Sequence, residues 1–177
     1  MYLYKKTYVK NWEFMKPEER YSIIIKKGGQ AITNIDLTKI SYIVEDAGYW
    51  RKANAIHQWF VDNVQDGEDD CKEYYVSEEK LRKLLDTVKK VLAASELVDG
   101  NVHNGTIYQD GKATPVIERG KIIKDPTVAQ ELLPTSDGFF FGGTDYDQYY
   151  FDDLESTRKI LEEVLEQGGD IYYQASW

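Results

Sequence analysis

Polar and apolar residues alternate from the second residue onward. Leu3, Lys5, Thr7 and Val9 fall on one face and Tyr2, Tyr4, Lys6 and Tyr8 on the other, the period-two pattern of a strand. A β-rich run over 21–27, the turn signal Gly28-Gly29 and a return over 30–35 predict a hairpin. The pattern then changes. From 37 to 64 apolar residues cover most of the circumference of a helical wheel, which predicts one long central helix, N-capped by Asp36, on which the rest of the chain packs. One arc of that wheel carries Ile43, Tyr49, Trp50, Ala53, Ile56, Phe60 and Val61, and Asp46 and His57 fall inside it. Polar groups on an apolar face need partners, so both are expected to be inside, in contact or separately hydrogen-bonded.

The second half is more regular. Leu81, Leu84, Leu85, Val88, Val91 and Leu92 form a single stripe over 78–94, with Ser77 as cap and Glu78 and Glu79 in the first turn. The turn signals Asp99-Gly100, Asn104-Gly105, Asp110-Gly111 and Arg119-Gly120 divide 97–124 into short β-prone pieces, read as a projecting hairpin or small added sheet, with His103 a loop residue. A short helix over 126–133, a strand at Phe139-Phe140-Phe141, a third long helix over 145–166 and a final strand over 171–177 complete the order. The fold class is α+β: a mainly antiparallel sheet of the N-terminal hairpin, the Phe139 strand and the C-terminal strand, packed by three principal helices, in one domain over 1–177. The irregular alternation of strands and helices argues against a doubly wound parallel sheet.

Charge changes the picture more than composition does. The net charge of −9 is uneven: residues 1–39 hold eight Lys/Arg against four Asp/Glu, whereas 131–177 hold two against eleven. Phosphate-backbone binding calls for clustered Lys and Arg, so direct nucleic-acid binding is not expected, and an acidic face suits a basic protein partner. Fourteen tyrosines supply either a Tyr-rich core or an adhesive face. The single Cys71 excludes an internal disulfide and a Cys-based zinc site, which fits a reducing cytoplasm. No apolar run is long enough to span a bilayer, so no membrane is expected.

Three patches carry candidate chemistry. The loop from Asp62 to Glu73 places Asp66, Gly67, Asp70 and Glu73 at EF-hand positions. Val64 stands where an oxygen ligand belongs and the next helix begins late, so it reads as an exposed acidic loop that binds no metal. Asp145, Asp147, Asp152 and Asp153 crowd the start of the third long helix, where the dipole favours them, and with Tyr146 and Tyr149 they form the candidate binding face. Asp46, Trp50, Arg51 and His57 form an alternative ligand pocket, in which an aromatic face and a guanidinium would hold a base and a phosphate. No cofactor is implied.

Three stretches carry a resemblance: YWRKANAIHQWFVDN over 49–63, LLPT over 132–135 running into GFFFG over 138–142, and DIYYQASW over 170–177. They resemble an accessory protein family of tailed phages and prophages, a likeness that covers most of the chain. Roughly 95–124 departs from the family pattern as an insertion. The resemblance implies a phage or prophage origin and a host-cell cytoplasmic location, and it implies no particular activity. Together with the charge it leads to an expected binding protein that occupies a basic surface of a host protein, conceivably a defence nuclease. The alternative is a small-ligand (nucleotide) binding protein or small hydrolase.

Overall fold

The computed structural model describes every residue except Thr33, Phe139, Phe140, Phe141 and Trp177, and leaves out the side chain of Leu37. The Phe139–Phe141 strand and the end of the 171–177 strand therefore lie outside the described residues. The class is α+β, as the pattern predicts. Four strands form the main sheet: β1 (Tyr2–Tyr8), β4 (Tyr42–Tyr49), β5 (Tyr74–Val76) and β8 (Asp170–Gln174), in the order β4-β1-β8-β5, each neighbour antiparallel. β2 (Lys26–Lys27) and β3 (Gln30–Ala31) make a hairpin separate from that sheet, far shorter than the pattern over 21–35 suggests. β6 (Leu97–Gln109) and β7 (Lys112–Ile123) make a third sheet, a single long hairpin in place of several short pieces. The helices are α1 (Asn54–Asn63), α2 (Glu78–Ala94), α3 (Thr127–Leu132) and α4 (Gln148–Gln167).

The largest correction concerns the expected helix over 37–64. Its first half is a short 3-10 turn (Leu37–Lys39) and strand β4; only 54–63 is helical. Tyr42, Ile43 and Val44 are strand formers, and pairing with β1 satisfies their backbone groups. Lys52, at φ 64°, breaks the chain between strand and helix. A segment apolar on every side carries no period to choose by, and the long-range partner decided.

Register divides the sheet into two unlike faces. Leu3, Ile171, Tyr173 and Val76 point into the core, against the helices. α2 packs along α4, and α3 closes on α2. The α2 stripe of Leu81, Leu84, Leu85, Val88 and Val91 is buried, each side chain contributing about 1.5–3 kcal/mol. Ser77 accepts the Lys80 N–H at its start, as its position predicts. Gly48 lets α4 approach β4: a Cβ there would lie 2.5 Å from the Ile160 side chain. The opposite face is open. It carries Tyr2, Tyr4, Lys6 and Tyr8 from β1, and opposite them Tyr49, Asp46, Val44 and Tyr42 from β4. Tyr172 and Tyr75 extend it across the other two strands.

Trp50 is the hinge pin of the core. Buried, it tilts against Phe60 at 6.0 Å and donates its indole N–H to Thr157 Oγ1 at 2.8 Å, while Thr157 donates to the Asp153 carbonyl. This chain of contacts ties β4, α1 and α4 together.

Candidate functional site

The two residue sets singled out from sequence meet different fates. His57 is buried at 1% exposure on α1, and its carboxylate partner is Asp69, not Asp46. Asp46 sits on the open face of β4, exposed. A helical wheel placed the two in one arc, and the strand removes that relation. His57 Nδ1 lies 2.6 Å from the Tyr173 hydroxyl and Nε2 3.2 Å from Asp69 Oδ1. A neutral ring with its proton on Nε2 serves both: it donates toward Asp69 and accepts from Tyr173. Burial holds the His57 pKa below its usual value, and Asp69 offsets part of that effect. Burial also pushes the Tyr173 hydroxyl well up. Tyr173 has no exposure, and Phe60 stacks on it at 3.9 Å, so the His57–Tyr173 pair is shut off from solvent while Asp69 meets it from the exposed side.

Asp69 belongs to the acidic loop, in which Asp62, Asp70 and Glu73 also have protein partners. Asp70 takes Lys72 and the Tyr74 hydroxyl, Glu73 pairs with Lys6, and Asp62 accepts from Gln58. Those side chains point at different neighbours, not at one centre.

Arg51, by contrast, meets the acidic helix start in one cleft of about 360 Å³. One wall is the first two turns of α4 with Asp145 and Asp147 before it. The other is Arg51, Lys52 and the first turn of α1, which begins without a side-chain cap. The bulge of β6, His103 to Gly105, overhangs the mouth. Two links hold this shape. Asn54 donates to the Gly143 carbonyl at 2.9 Å and accepts the Ser136 N–H at 3.1 Å. The base of β7 is stitched to the lead-in of α4, where the Ile123 N–H donates to the Tyr146 carbonyl.

Within the acidic set the roles diverge. Asp147 is buried and is the N-cap, accepting the Tyr149 and Tyr150 N–H groups. Tyr146 is half-buried, edge-on to Tyr150 at 5.0 Å, and its hydroxyl accepts the Thr135 N–H. Neither is the surface anchor its position suggests. Asp145 and Asp152 are exposed, Asp152 accepting from Gln148 at 2.7 Å, and Tyr149 is 61% exposed at the rim. Burial raises the pKa of Asp147 above the usual carboxylate range, and burial, with Asp152 and Asp147 nearby, raises that of Asp153 to about 7. A carboxyl shifted in this way and lining a cleft is a candidate for proton exchange or for pairing with a cation.

Trp50 lies behind this cleft in the core, so an exposed aromatic platform at Trp50 does not form. Sequence reading missed Asn54, His103 and Thr135 as cleft residues. Asn54 carried no separate signal, falling inside the expected 37–64 helix whereas it is the first residue of α1, and the bulge at 103–105 was visible only as a turn dipeptide. Among the described residues no group of three or more His, Cys, Asp and Glu is placed to hold a metal ion, and no helix is long and apolar enough to cross a membrane. No protein-family model matches the chain, and no curated protein and no solved structure matches it either.

Proposed function

We propose that this chain is a phage-type accessory protein that works by binding, and that the α4 cleft takes a basic segment of a host protein, a defence nuclease being one such target. The observation that supports this is the cleft's bipolar lining around a carboxyl held at a pKa of about 7. A lysine or arginine entering beside Asp153 favours the charged carboxylate and lowers its pKa. Arg51, Lys52 and the uncapped α1 start face the same space and suit the carbonyls or a carboxylate of the same segment. Exposed Tyr149 supplies a rigid contact at the rim. Asp145 and Asp152 attract the partner from a distance, setting rate more than affinity.

The linkage has a sign. Below pH 7 Asp153 is protonated and must release its proton to accept a cation, so affinity falls as pH drops from 8 to 6. Capture of a partner from host lysate comes first, followed by association and dissociation kinetics. The Asp145→Asn/Asp152→Asn pair is expected to slow association and flatten its salt dependence, and Tyr149→Ala to speed dissociation. A partner bound with unchanged association rate by the double variant at low salt refutes the acidic-mouth reading.

The second reading, a small zwitterionic ligand or a hydrolytic role, is favoured by one observation: Arg51 and Asp153 line the same cavity, which is of small-molecule size. Saturable, partner-free heats on titration with small amino or phosphate compounds, lost in Arg51→Ala, would support it over the first.

A further inference from the structure

β4 is one edge of the main sheet, and its outer side is bare. The Val9 N–H donates to the Ser41 carbonyl, and Met1 and Trp50 bond each other in both directions. Hydrogen-bonded pairs alternate along an antiparallel ladder. Ile43 and Glu45 therefore turn their peptide groups toward β1, and Tyr42, Val44 and Asp46 turn theirs outward. Three N–H groups and three carbonyls line the edge from 42 to 46, and among the described residues none of them has a partner. The register shift opposite Leu3 and Tyr4 ends this flat stretch. No other element covers it: residues 42–46 are all exposed, Tyr42 and Val44 by more than half. An apolar edge of this kind is a template for a further strand.

Charge selects the strand that fits. Between 42 and 49 the chain carries Glu45 and Asp46 and no cation, so a second copy pairing here would bring like charge to like. The two faces of the edge differ. On the helix side Lys5 is the cross-strand neighbour of Glu45, with Ile43 beside it. On the open side stand Tyr42, Val44 and Asp46, with Tyr49 beyond. The Asp46 carboxylate has no ion pair among the described residues. Lys6, the lysine of this face, is directed to the far side, where it pairs with Glu73 and sits 4.4 Å over the Tyr172 ring.

We propose that this edge takes an extended segment of a partner protein as an added antiparallel strand, with Lys or Arg at every second position and apolar residues between. Antiparallel pairing continues the sheet, in which every neighbour is antiparallel. Main-chain bonds give such a strand its affinity and alternate side chains its specificity. Residues opposite Tyr42, Val44 and Asp46 share the open face. Basic side chains there meet the Asp46 carboxylate and the exposed rings of Tyr42 and Tyr49, the contact that Lys6 already makes with Tyr172 inside the chain. The apolar residues fall on the other side, beside Ile43. The α4 cleft is not used, so this inference stands or falls apart from the binding function proposed above.

The probe is an end-blocked fluorescent octapeptide of alternating lysine and valine, titrated with the full chain at low salt and followed by anisotropy. Saturable binding with a Kd of about 100 μM or below is expected, weakened by salt. The lysine N–H groups of the bound peptide face β4 and the valine N–H groups face away. Methylating the lysine peptide nitrogens should therefore weaken binding by about tenfold or more, and methylating the valine nitrogens should not. Val44→Pro removes one outward donor and no bond to β1; it is expected to keep the wild-type circular dichroism and to lose about tenfold in affinity. Asp46→Asn should weaken binding and flatten its salt dependence, whereas Asp145→Asn/Asp152→Asn in the cleft should leave the peptide bound. If Val44→Pro does not fold, the methylated peptides still decide, because they leave the protein unchanged. Absence of binding overturns the proposal, as does binding that survives methylation of the lysine nitrogens or that is lost in the cleft variant and kept in Val44→Pro. A wild-type dimer in sedimentation that Val44→Pro abolishes also overturns it, since the edge would then belong to a second copy.

Discussion

Two ionisable groups, fully buried His57 on α1 and half-buried Asp153 on α4, resolve the same difficulty in opposite ways. Burial disfavours the charged form of each. His57 is held toward its neutral form because burial outweighs the opposing pull of Asp69, and each ring nitrogen meets a partner, Tyr173 or Asp69. Asp153 instead carries its cost as a pKa raised to about 7, beside two further carboxylates and facing an open cleft. The first arrangement is complete within the chain. The second leaves a carboxyl lining open space, which is why the binding proposal rests on Asp153 and not on the histidine that looks more catalytic in the sequence.

The contrast can be broken most severely at the sealed end. His57→Ala leaves a cavity and strands the Tyr173 hydroxyl, so unfolding in denaturant should show a loss of about 3 kcal/mol or more. Asp153→Asn should do the reverse: at pH 8 it removes a carboxylate ionised against its environment and stabilises by about 1–3 kcal/mol, an effect that shrinks as pH falls below 7 and disappears by about pH 4, where the unfolded chain holds the proton as well. Loss of stability in Asp153→Asn at pH 8 would mean that the side chain is satisfied after all.

The pH profile sharpens the same comparison. His57 has a folded pKa below its unfolded value of 6.5, so the unfolded chain takes the proton first and stability falls as pH drops below 6.5. Asp153 has a folded pKa above its unfolded 3.8, so stability falls as pH rises from about 4 to about 7. The slopes oppose each other over the same window. Stability curves between pH 4 and 7 should therefore steepen in the acid direction for Asp153→Asn and in the alkaline direction for His57→Gln. Parallel curves for the two variants would show that one assignment is wrong. Smallest of all is the rim: Asp145→Asn, Asp152→Asn and Tyr149→Ala should each move stability by no more than about 0.5 kcal/mol, so that changed binding in these variants reports on the surface alone. Asp147 has to be left out of that set, because its loss uncaps α4 at about 1 kcal/mol.

What was legible in the sequence follows from how local each signal is. α2 was readable because stripe, cap and dipole-matched acids lie within one segment that Ser77 opens; α4 was readable from its stripe, but it starts at Gln148 and not at 145, so Asp145 lies ahead of it and Asp147 is its cap. β4 was not, because what makes 42–49 a strand is β1, some 40 residues away in sequence. His57 was correctly placed inside, yet its partner came from a loop twelve residues on whose acids looked alike; only the fold distinguishes Asp69 from Asp66 or Asp70. In the cleft, Arg51 and the α4 acids were each noticed, but as rival sites. Their meeting depends on Asn54 gripping the 136 and 143 backbones, contacts that span more than 80 residues.

The strand order β4-β1-β8-β5 has a consequence for synthesis. β8 is the bridge of the sheet, pairing with β1 on one side and β5 on the other, and it follows every one of its partners in the chain. Until Asp170–Gln174 has left the ribosome, β1 and β5 have no common neighbour, and Leu3 and Val76 lack the Tyr173 and Ile171 surface that completes their layer. Nascent chains stalled before β8 should be sensitive to protease and retained by chaperones, and emergence of Asp170–Gln174 should convert them in one cooperative step.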